Sequence, residues 1–556
     1  MKDPCCIATR DNRIHAKLRK IIPSKKAILI LAWSYLFALS WTIPLSLEGS
    51  NFAECFLFAI APSAIICALI VLVSASGVLQ TIRFAANDKI PAWPWCFTVL
   101  LSIWAIVLLI NYPGAFSTDS VDIINMVSGL PFESDHFRYD SLNTHHPLAW
   151  VGFNAVVLKL ASIAGIQGTG ALGMLSFVQL IIFTACCTFF IQKTGTLSGS
   201  KIIWIASLIF FAANPLIAQY ASTIWKDVLF SGFFAVFSIQ LYACATTPRE
   251  FFRSKRDVAI FVVAGLLCCI LRNNGMIAVC TSLLLIAITL REYLKQIAPL
   301  CVAIAITSWL ALGLTSSVAG AQPGHFSESI GVALQQIART ASESGHITAE
   351  QEEFIDQIIP YEKLPELYLP NSANPIKFDP EFNDEFLESH KMDFLVVWFE
   401  MGMQNPESFA RAWCAQTEAF WNIDTATWYA CEPGYPVDGE ENYYQNKLDP
   451  YVEAESVSTA TNLSISIFFP LFSMGSLAWI TLFILLIKLL SKDFKSAACL
   501  TPFVTLWATY LVAAPASDFR YLLPLHVSLP LLLLILVSSS GVPTQTESNY
   551  TKAADS

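Results

Sequence analysis

Charge is scarce in this chain: Asp, Glu, Lys and Arg make up 14% of its 556 residues, against 55% apolar residues and a mean hydropathy of +0.54. That much apolar surface exceeds what one or two soluble cores could hide, which excludes a soluble enzyme. Glycine-rich phosphate loops are absent, so no nucleotide cofactor or nucleotide-sugar site is expected, and no basic patch points to nucleic acid. No internal repeat of the kind that builds inverted-repeat transporters is evident. Metal-ligand spacings are missing too: no metal site is assigned, and any other cofactor, a divalent ion included, stays open.

What is present is a series of roughly a dozen apolar runs between Ala27 and Val537, each about as long as the 18 or more residues needed to cross a bilayer. The fold class is an all-α polytopic membrane protein. Between two of the runs, from Gly320 to Ala460, lie 25 Asp or Glu against 6 Lys or Arg. A polar, acidic block of that length is too long for a connector and reads as a folded, mostly helical domain on one face of the membrane.

The amino-terminal segment carries Lys2, Arg10, Arg13, Lys17, Arg19, Lys20, Lys25 and Lys26, with no small-residue cleavage pattern after it, so an uncleaved first helix is expected. The positive-inside rule puts this segment in the cytoplasm and residue 112 outside after three crossings, at 27–47, 54–77 and 93–111. Counting Pro147–Ile166 as a further crossing would put Arg249, Arg253, Lys255, Arg256, Arg291, Lys295, Lys488, Lys492 and Lys495 on the wrong side. Laying that run on the outer face as a juxtamembrane helix restores every basic loop to the inside. The other crossings fall at 170–192, 201–219, 227–244, 257–271, 275–290, 298–319, 463–490, 497–514 and 521–538. About twelve transmembrane helices result, with both termini cytoplasmic. The domain plan is a basic amino terminus (1–26), a transmembrane core (27–319) that includes an outer loop at 112–169, an extracytoplasmic acidic domain (320–462), carboxy-terminal helices (463–538) and a polar tail (539–556).

Of 15 cysteines, Cys414 and Cys431 alone lie in the acidic domain, where a disulfide and two free thiols are both open. Around them sit Trp413, Phe420, Trp421, Trp428, Tyr429, Tyr435, Tyr443 and Tyr444, rings suited to stacking on sugars, to the headgroup layer or to ordinary core packing.

Ionisable groups at membrane depth cost about 2.5–3.5 kcal/mol each, so those beside apolar runs need a reason. Four clusters stand out. Asn111–Asp122 ends the third crossing and presents Asp119 and Asp122 three residues apart, on one face of a helix. His145 and His146 precede Pro147, which suits a first helical turn. Lys226 and Asp227 open the sixth crossing, and Arg272 and Asn273 separate two later ones. Arg520 stands in Ser517-Asp-Phe-Arg-Tyr521, and, with Arg272, can grip a phosphate bidentately. Each has a plain alternative: a helix cap, an interfacial ion pair or a snorkelling anchor. Their agreement is more specific, because the topology puts all four on one side, where carboxylates, histidines and cations together suit chemistry on a lipid-linked phosphate.

An Asp-containing outer loop after an early helix, a later His-Pro before a juxtamembrane helix, and a helix followed by a boundary Asp resemble the GT-C superfamily of integral-membrane glycosyltransferases, whose members include protein O-mannosyltransferases and lipid A aminoarabinose transferases. The likeness covers about residues 93–240. It looks closest to a bacterial branch through Pro113-Gly-Ala-Phe-Ser-Thr-Asp-Ser120, Trp225-Lys-Asp227, Arg272-Asn-Asn-Gly275, Leu334-Gln-Gln-Ile-Ala-Arg339 and Phe519-Arg-Tyr521. The superfamily's His-Pro-Pro is His146-Pro147-Leu148 here, and its Asp-Glu pair is replaced by Asp119-Ser-Val-Asp122.

The resemblance implies transfer of a sugar from a polyprenyl-phosphate donor to an envelope acceptor (glycan, lipid or protein) outside a bacterial plasma membrane. Asp119, with Asp122 behind it, takes the catalytic role; His145, His146, Lys226, Asp227, Arg272, Asn273 and Arg520 take substrate-binding ones. Two other classes stay open. A multi-pass transporter or lipid flippase would place charge near the bilayer midplane. A non-catalytic envelope assembly protein would tolerate Asp119→Asn.

Overall fold

The computed structural model describes residues 25–47, 51–76, 88–116, 118–128, 142–425, 427 and 472–538. Among them the helices run in chain order as α1 (Lys26–Leu47), α2 (Phe52–Leu72), α3 (Trp93–Ile110), α4 (Thr118–Ser128), α5 (Leu148–Ile163), α6 (Thr169–Ser198), α7 (Lys201–Ala212), α8 (Pro215–Ala221), α9 (Lys226–Thr246), α10 (Lys255–Leu271), α11 (Asn273–Thr289) and α12 (Arg291–Ala319). A polar domain follows with α13 (Gly331–Ser342), α14 (Lys391–Gln404) and α15 (Pro406–Thr417). The chain then returns to apolar helices α16 (Met474–Leu490), α17 (Thr501–Ala513), α18 (Leu523–Val527) and α19 (Leu529–Val537); short intervening turns are left unlabelled. The described residues form no sheet, only isolated bridges.

Six helices, α1, α2, α3, α6, α9 and α12, are long and apolar enough to cross a bilayer, and the pair α7–α8, bent by 62°, makes a seventh. By length and hydropathy this is a multi-pass helical membrane protein. The other five of the twelve expected crossings coincide with shorter helices: α10, α11 and α16 have 17 residues, α17 has 13, and the last is broken into α18 and α19. Pro524 and Pro530 account for that break, since each removes a backbone donor at its helix start. Residues 463–471, assigned to the tenth crossing, and the two termini lie outside the described residues. The run expected to lie as a juxtamembrane element forms α5.

Burial orders the bundle. Within α9, 94% of the apolar window is buried, against 17% in α12, so α9 is the central column and α12 a peripheral one. Helix α3 shows how an apolar sequence splits its faces: Cys96, Leu100, Trp104 and Leu108, four apart, enter the core, while Ile106 and Leu109 are exposed. The bend between α7 and α8 has a local cause. Pro215 cannot continue the hydrogen-bond ladder, and Asn214 accepts from the amide of Ile217 at 3.1 Å to cap the new helix.

The polar domain has a core of its own, with Ile330, Leu334 and Ile337 packed with Ile355, Leu387, Phe394, Met401 and Phe409. Gln416 ties it to the bundle, donating to the carbonyls of Ala514 (2.8 Å) and Pro515 (2.9 Å) beyond α17. Gln335, in the Leu334–Arg339 motif, donates in turn to Gln416 at 3.0 Å, so that motif serves the joint between domain and bundle.

Candidate active site

Two loops clasp each other at one end of the bundle. The segment after α3 pairs with the segment after α8: the amide of Ala115 donates to Ser222 O at 2.9 Å and that of Ile224 to Ala115 O at 3.0 Å. Asn111 donates to Gln219 and Ser222, both at 2.9 Å, and Gln179 of α6 donates to Thr223 O at 2.7 Å. Gly114 has φ +141°, and a Cβ there would stand 2.3 Å from Ser176 Oγ, so only glycine lets the strands of this clasp approach. Ser120 Oγ donates to Ile224 O at 2.6 Å, which sets the first turn of α4 against the start of α9. Asp119 and Lys226 thereby meet.

The loop before α18 reaches the same place. Arg520 Nη1 donates to Asp119 Oδ2 at 2.8 Å, and its Nε stands 2.8 Å from Asp518 Oδ2. Lys226 Nζ lies 3.7 Å from the same Asp119 oxygen and 3.2 Å from His146 Nδ1. Next to it, Arg272 forms an ion pair with the buried Asp227. Aromatic rings hold both guanidinium groups: Arg520 lies over Trp225 (4.6 Å) and Tyr521 (5.2 Å), and Arg272 over Tyr521 (5.3 Å), Tyr510 (5.7 Å) and Phe230 (5.9 Å). Phe420 stacks on Tyr510 at 5.5 Å and on Tyr521 at 6.3 Å, so this ring of the aromatic-rich segment packs the site's floor rather than offering a face to a sugar.

The charges drive the carboxyl groups apart. Burial works against ionisation of Asp119, yet Arg520 and Lys226 hold its carboxyl well below the usual carboxylate range. One turn along α4, burial and then the negative charge of Asp119 push Asp122 up to about 8, so it is protonated at neutral pH. Its Oδ2 has no hydrogen-bond partner among the described residues. Burial likewise raises Asp518 to about 6, against the opposing pull of Arg520. His146 is held well below its ordinary value by burial and by Lys226, and His145 is lowered by burial against the pull of Glu328. The site is thus an ionised acid under a row of cations, flanked by a neutral acid and neutral imidazoles.

The polar domain closes one side. The amide of Thr144 donates to Gln322 O at 2.9 Å and Gln322 returns a bond to Leu142 O at 2.8 Å, which fixes the His145–His146 loop against the chain leaving α12. Glu328 follows there, ion-paired at 2.8 Å with the buried Lys377. An open groove of about 690 Å³ lies along α5 beside the end of α4, lined by Val127, Ala155, Val156, Leu158, Lys159, Leu160 and Ser162. Val127 is eight residues beyond Asp119 on α4, about 12 Å along the helix.

Of the residues singled out in the sequence, Asp119, Asp122, His145, His146, Lys226, Asp227, Arg272 and Arg520 converge here. Asn273 does not: it is exposed at the start of α11. Cys414 is buried in α15; Cys431, its candidate partner, and Trp428, Tyr429, Tyr435, Tyr443 and Tyr444 lie outside the described residues. Sequence reasoning missed Asp518, Glu328, Lys377, Tyr510 and the ring of Trp225 as members of the site. Asp518 had a signal, two residues before Arg520 at a span boundary; Glu328 and Lys377 had none among so many acids. Among the described residues, no group of three or more His, Cys, Asp or Glu is placed to hold a metal ion.

Residues 79–550 match the model of DUF6020, described as a family of unknown function, and the chain belongs to that family. No curated protein and no solved structure matches it significantly.

Proposed function

We propose that this member of DUF6020 is a membrane glycosyltransferase of the GT-C type, moving a sugar from a polyprenyl-phosphate donor to an envelope acceptor outside the cytoplasmic membrane. The observation that carries the reading is Asp119, an ionised carboxylate in contact with Arg520 and Lys226 at one end of an apolar bundle. A base and phosphate-binding cations at the membrane edge are the two things this transfer needs. The basic loop 249–256 joins the far ends of α9 and α10, about 30 Å of helix away from Lys226, and a basic side opposite the site supports a reading with the site on the outer face.

In this reading the donor phosphate draws Arg520 and Lys226 away from Asp119, and Arg272 stands behind them. Losing its cations makes Asp119 more basic at the moment the donor is in place. Asp119 takes the proton of the acceptor hydroxyl, the acceptor oxygen forms its bond to the anomeric carbon, and the carbon–oxygen bond to phosphate breaks. The bonding electrons leave on the phosphate oxygen, whose new charge the guanidinium groups stabilise. Asp122, neutral beside the reacting acid, adds no repulsion to the incoming phosphate. The polyprenyl tail follows the open groove along α5.

The test compares envelope glycans and polyprenyl-phosphate sugars by mass spectrometry in a deletion strain carrying wild-type protein or equally expressed Asp119→Asn. Loss of one sugar substituent, with its lipid-linked donor accumulating in both the deletion and the variant, supports transfer. Full rescue by Asp119→Asn overturns it in favour of a transporter or an assembly protein.

A further inference from the structure

Helix α14, Lys391–Gln404, is apolar on two opposite faces. Phe394 and Met401, seven residues apart, enter the core of the polar domain. Met392, Leu395, Val396, Phe399 and Met403 follow the other helical spacing and share the reverse face, where Met392, Phe399 and Met403 are 71%, 61% and 70% exposed. Seven large apolar side chains are exposed among the described residues of 320–427, and five of them form this stripe. Singly exposed apolar residues are ordinary, but a contiguous stripe in an otherwise acidic domain marks a surface that is covered in use.

What covers it follows from where the helix is tied. After Asn405 the chain turns into α15, which rests on the ends of three bundle helices. Arg411 donates to Ser46 O at the end of α1 and its guanidinium lies 6.0 Å from the ring of Phe52, which begins α2. Trp413 donates its indole N–H to Leu511 O at 2.7 Å near the end of α17, with part of its ring exposed. At the other end of α14, Lys391 lies over the ring of Phe326 at 5.4 Å, seven residues past the end of α12. Helix α14, about 21 Å long, is therefore joined at its carboxy end to the helix that touches the span ends and contacts at its amino end the chain that leaves α12. Leu45, Phe56 and Val512, close to the helix ends that α15 touches, are exposed apolar residues as well. The edges of the stripe suit an interface: Asp393 and Glu400 are exposed along one side.

We infer that α14 is a bilayer-docking helix, whose Met392–Met403 stripe seats at the boundary between headgroups and acyl chains and holds the polar domain against the membrane. The burial of five such side chains is of the kind that keeps amphipathic helices in the interface plane. The inference needs only that the chain spans a membrane and is independent of the transfer reaction.

The test places the photoreactive amino acid benzoylphenylalanine, singly, at Phe399, at Val396, at Trp309 on the peripheral face of α12, and at Glu350, exposed in the polar domain. The full-length protein is reconstituted in vesicles of phosphatidylethanolamine and phosphatidylglycerol, irradiated, and its adducts identified by mass spectrometry. Lipid adducts at Phe399 and Val396 within about threefold of the yield at Trp309, and at least about tenfold above Glu350, are expected for a helix seated in the interface. Cross-links from Phe399 to residues 428–471 or to a second copy of the chain overturn the inference. So does the absence of any adduct at Phe399 when Trp309 reacts, since the stripe then faces water.

Discussion

Arg520 reaches Asp119 across 401 residues of sequence, with Nη1 2.8 Å from Oδ2, and so joins the loop before α18 to the first turn of α4. Arg520 also touches Asp518 at 2.8 Å, and the three groups form a partly buried triad in which one guanidinium serves two acids.

Removing that guanidinium leaves Asp119 with Lys226 alone and takes from Asp518 its nearest cation. Arg520→Met is expected to destabilise the protein by about 3 kcal/mol, because an uncompensated charge is left in a poorly solvated site. The double variant Arg520→Met/Asp119→Asn should lose less than the sum of the single losses. Thermal unfolding of the detergent-purified protein measures both; strict additivity would mean that the two side chains do not interact.

Asp122 should behave as a neutral acid. Its pKa is raised from 3.8 to about 8, so the native state holds a proton that the unfolded chain releases. Stability linked to this group is full below about pH 4 and is lost as pH rises toward about 8. Asp122→Asn, which mimics the protonated form, should match wild-type stability below about pH 4 and exceed it by a growing margin up to about pH 8. Parallel melting-temperature profiles for the two proteins would remove Asp122 as the titrating group.

Asp119 titrates in the opposite sense. Arg520 and Lys226 hold it ionised well below the ordinary carboxylate range in the free protein, so the acid limb measured at low donor concentration should lie below that range. Lys226→Gln removes one of the two cations and should move that limb toward higher pH, besides weakening donor binding. Rate profiles with a lipid-linked donor show the shift; an unmoved limb assigns the acid limb to another group.

Gly114→Ala tests the loop clasp directly. A side chain at φ +141° is strained, and its Cβ would meet Ser176 Oγ at 2.3 Å and Ser222 O at 3.1 Å. A loss of about 2–3 kcal/mol is expected. Adding Ser176→Ala removes the nearer contact but not the backbone strain, so rescue in a melting experiment should be partial. Complete rescue would show that the hydroxyl clash was the whole cost.

Long apolar runs announce themselves locally, because crossing a bilayer demands a composition that no loop shares: seven of the twelve expected crossings have a helix or bent pair long and apolar enough to span, and the other five have shorter apolar helices at their places. The loops that carry Asp119, Lys226, Arg272 and Arg520 were legible for a related reason: charge beside a span is costly, so it stands out against the apolar background. Spacing alone could not decide between reading Lys226 and Asp227 as a private ion pair and as two halves of different contacts. In the fold they separate, Lys226 to Asp119 and Asp227 to Arg272. Glu328 and Lys377 were hidden because an acid and a lysine in an acidic domain look like solvated surface until packing buries the lysine against the acid.

The sequence by itself determined the class of this protein, the order of its apolar helices, the polar domain between them and the set of charged loops that border them, since each follows from hydropathy and charge within a short window. Tertiary structure alone decided which charges meet, which acid is ionised and which is neutral, and that one helix of the polar domain carries an apolar stripe on the side away from its core. Those outcomes depend on the clasp of residues 111–116 with 222–224, on the 62° bend between α7 and α8 and on the return of the loop before α18. A carboxyl group's charge state follows from burial and neighbours, and those are set by folding between residues hundreds of positions apart.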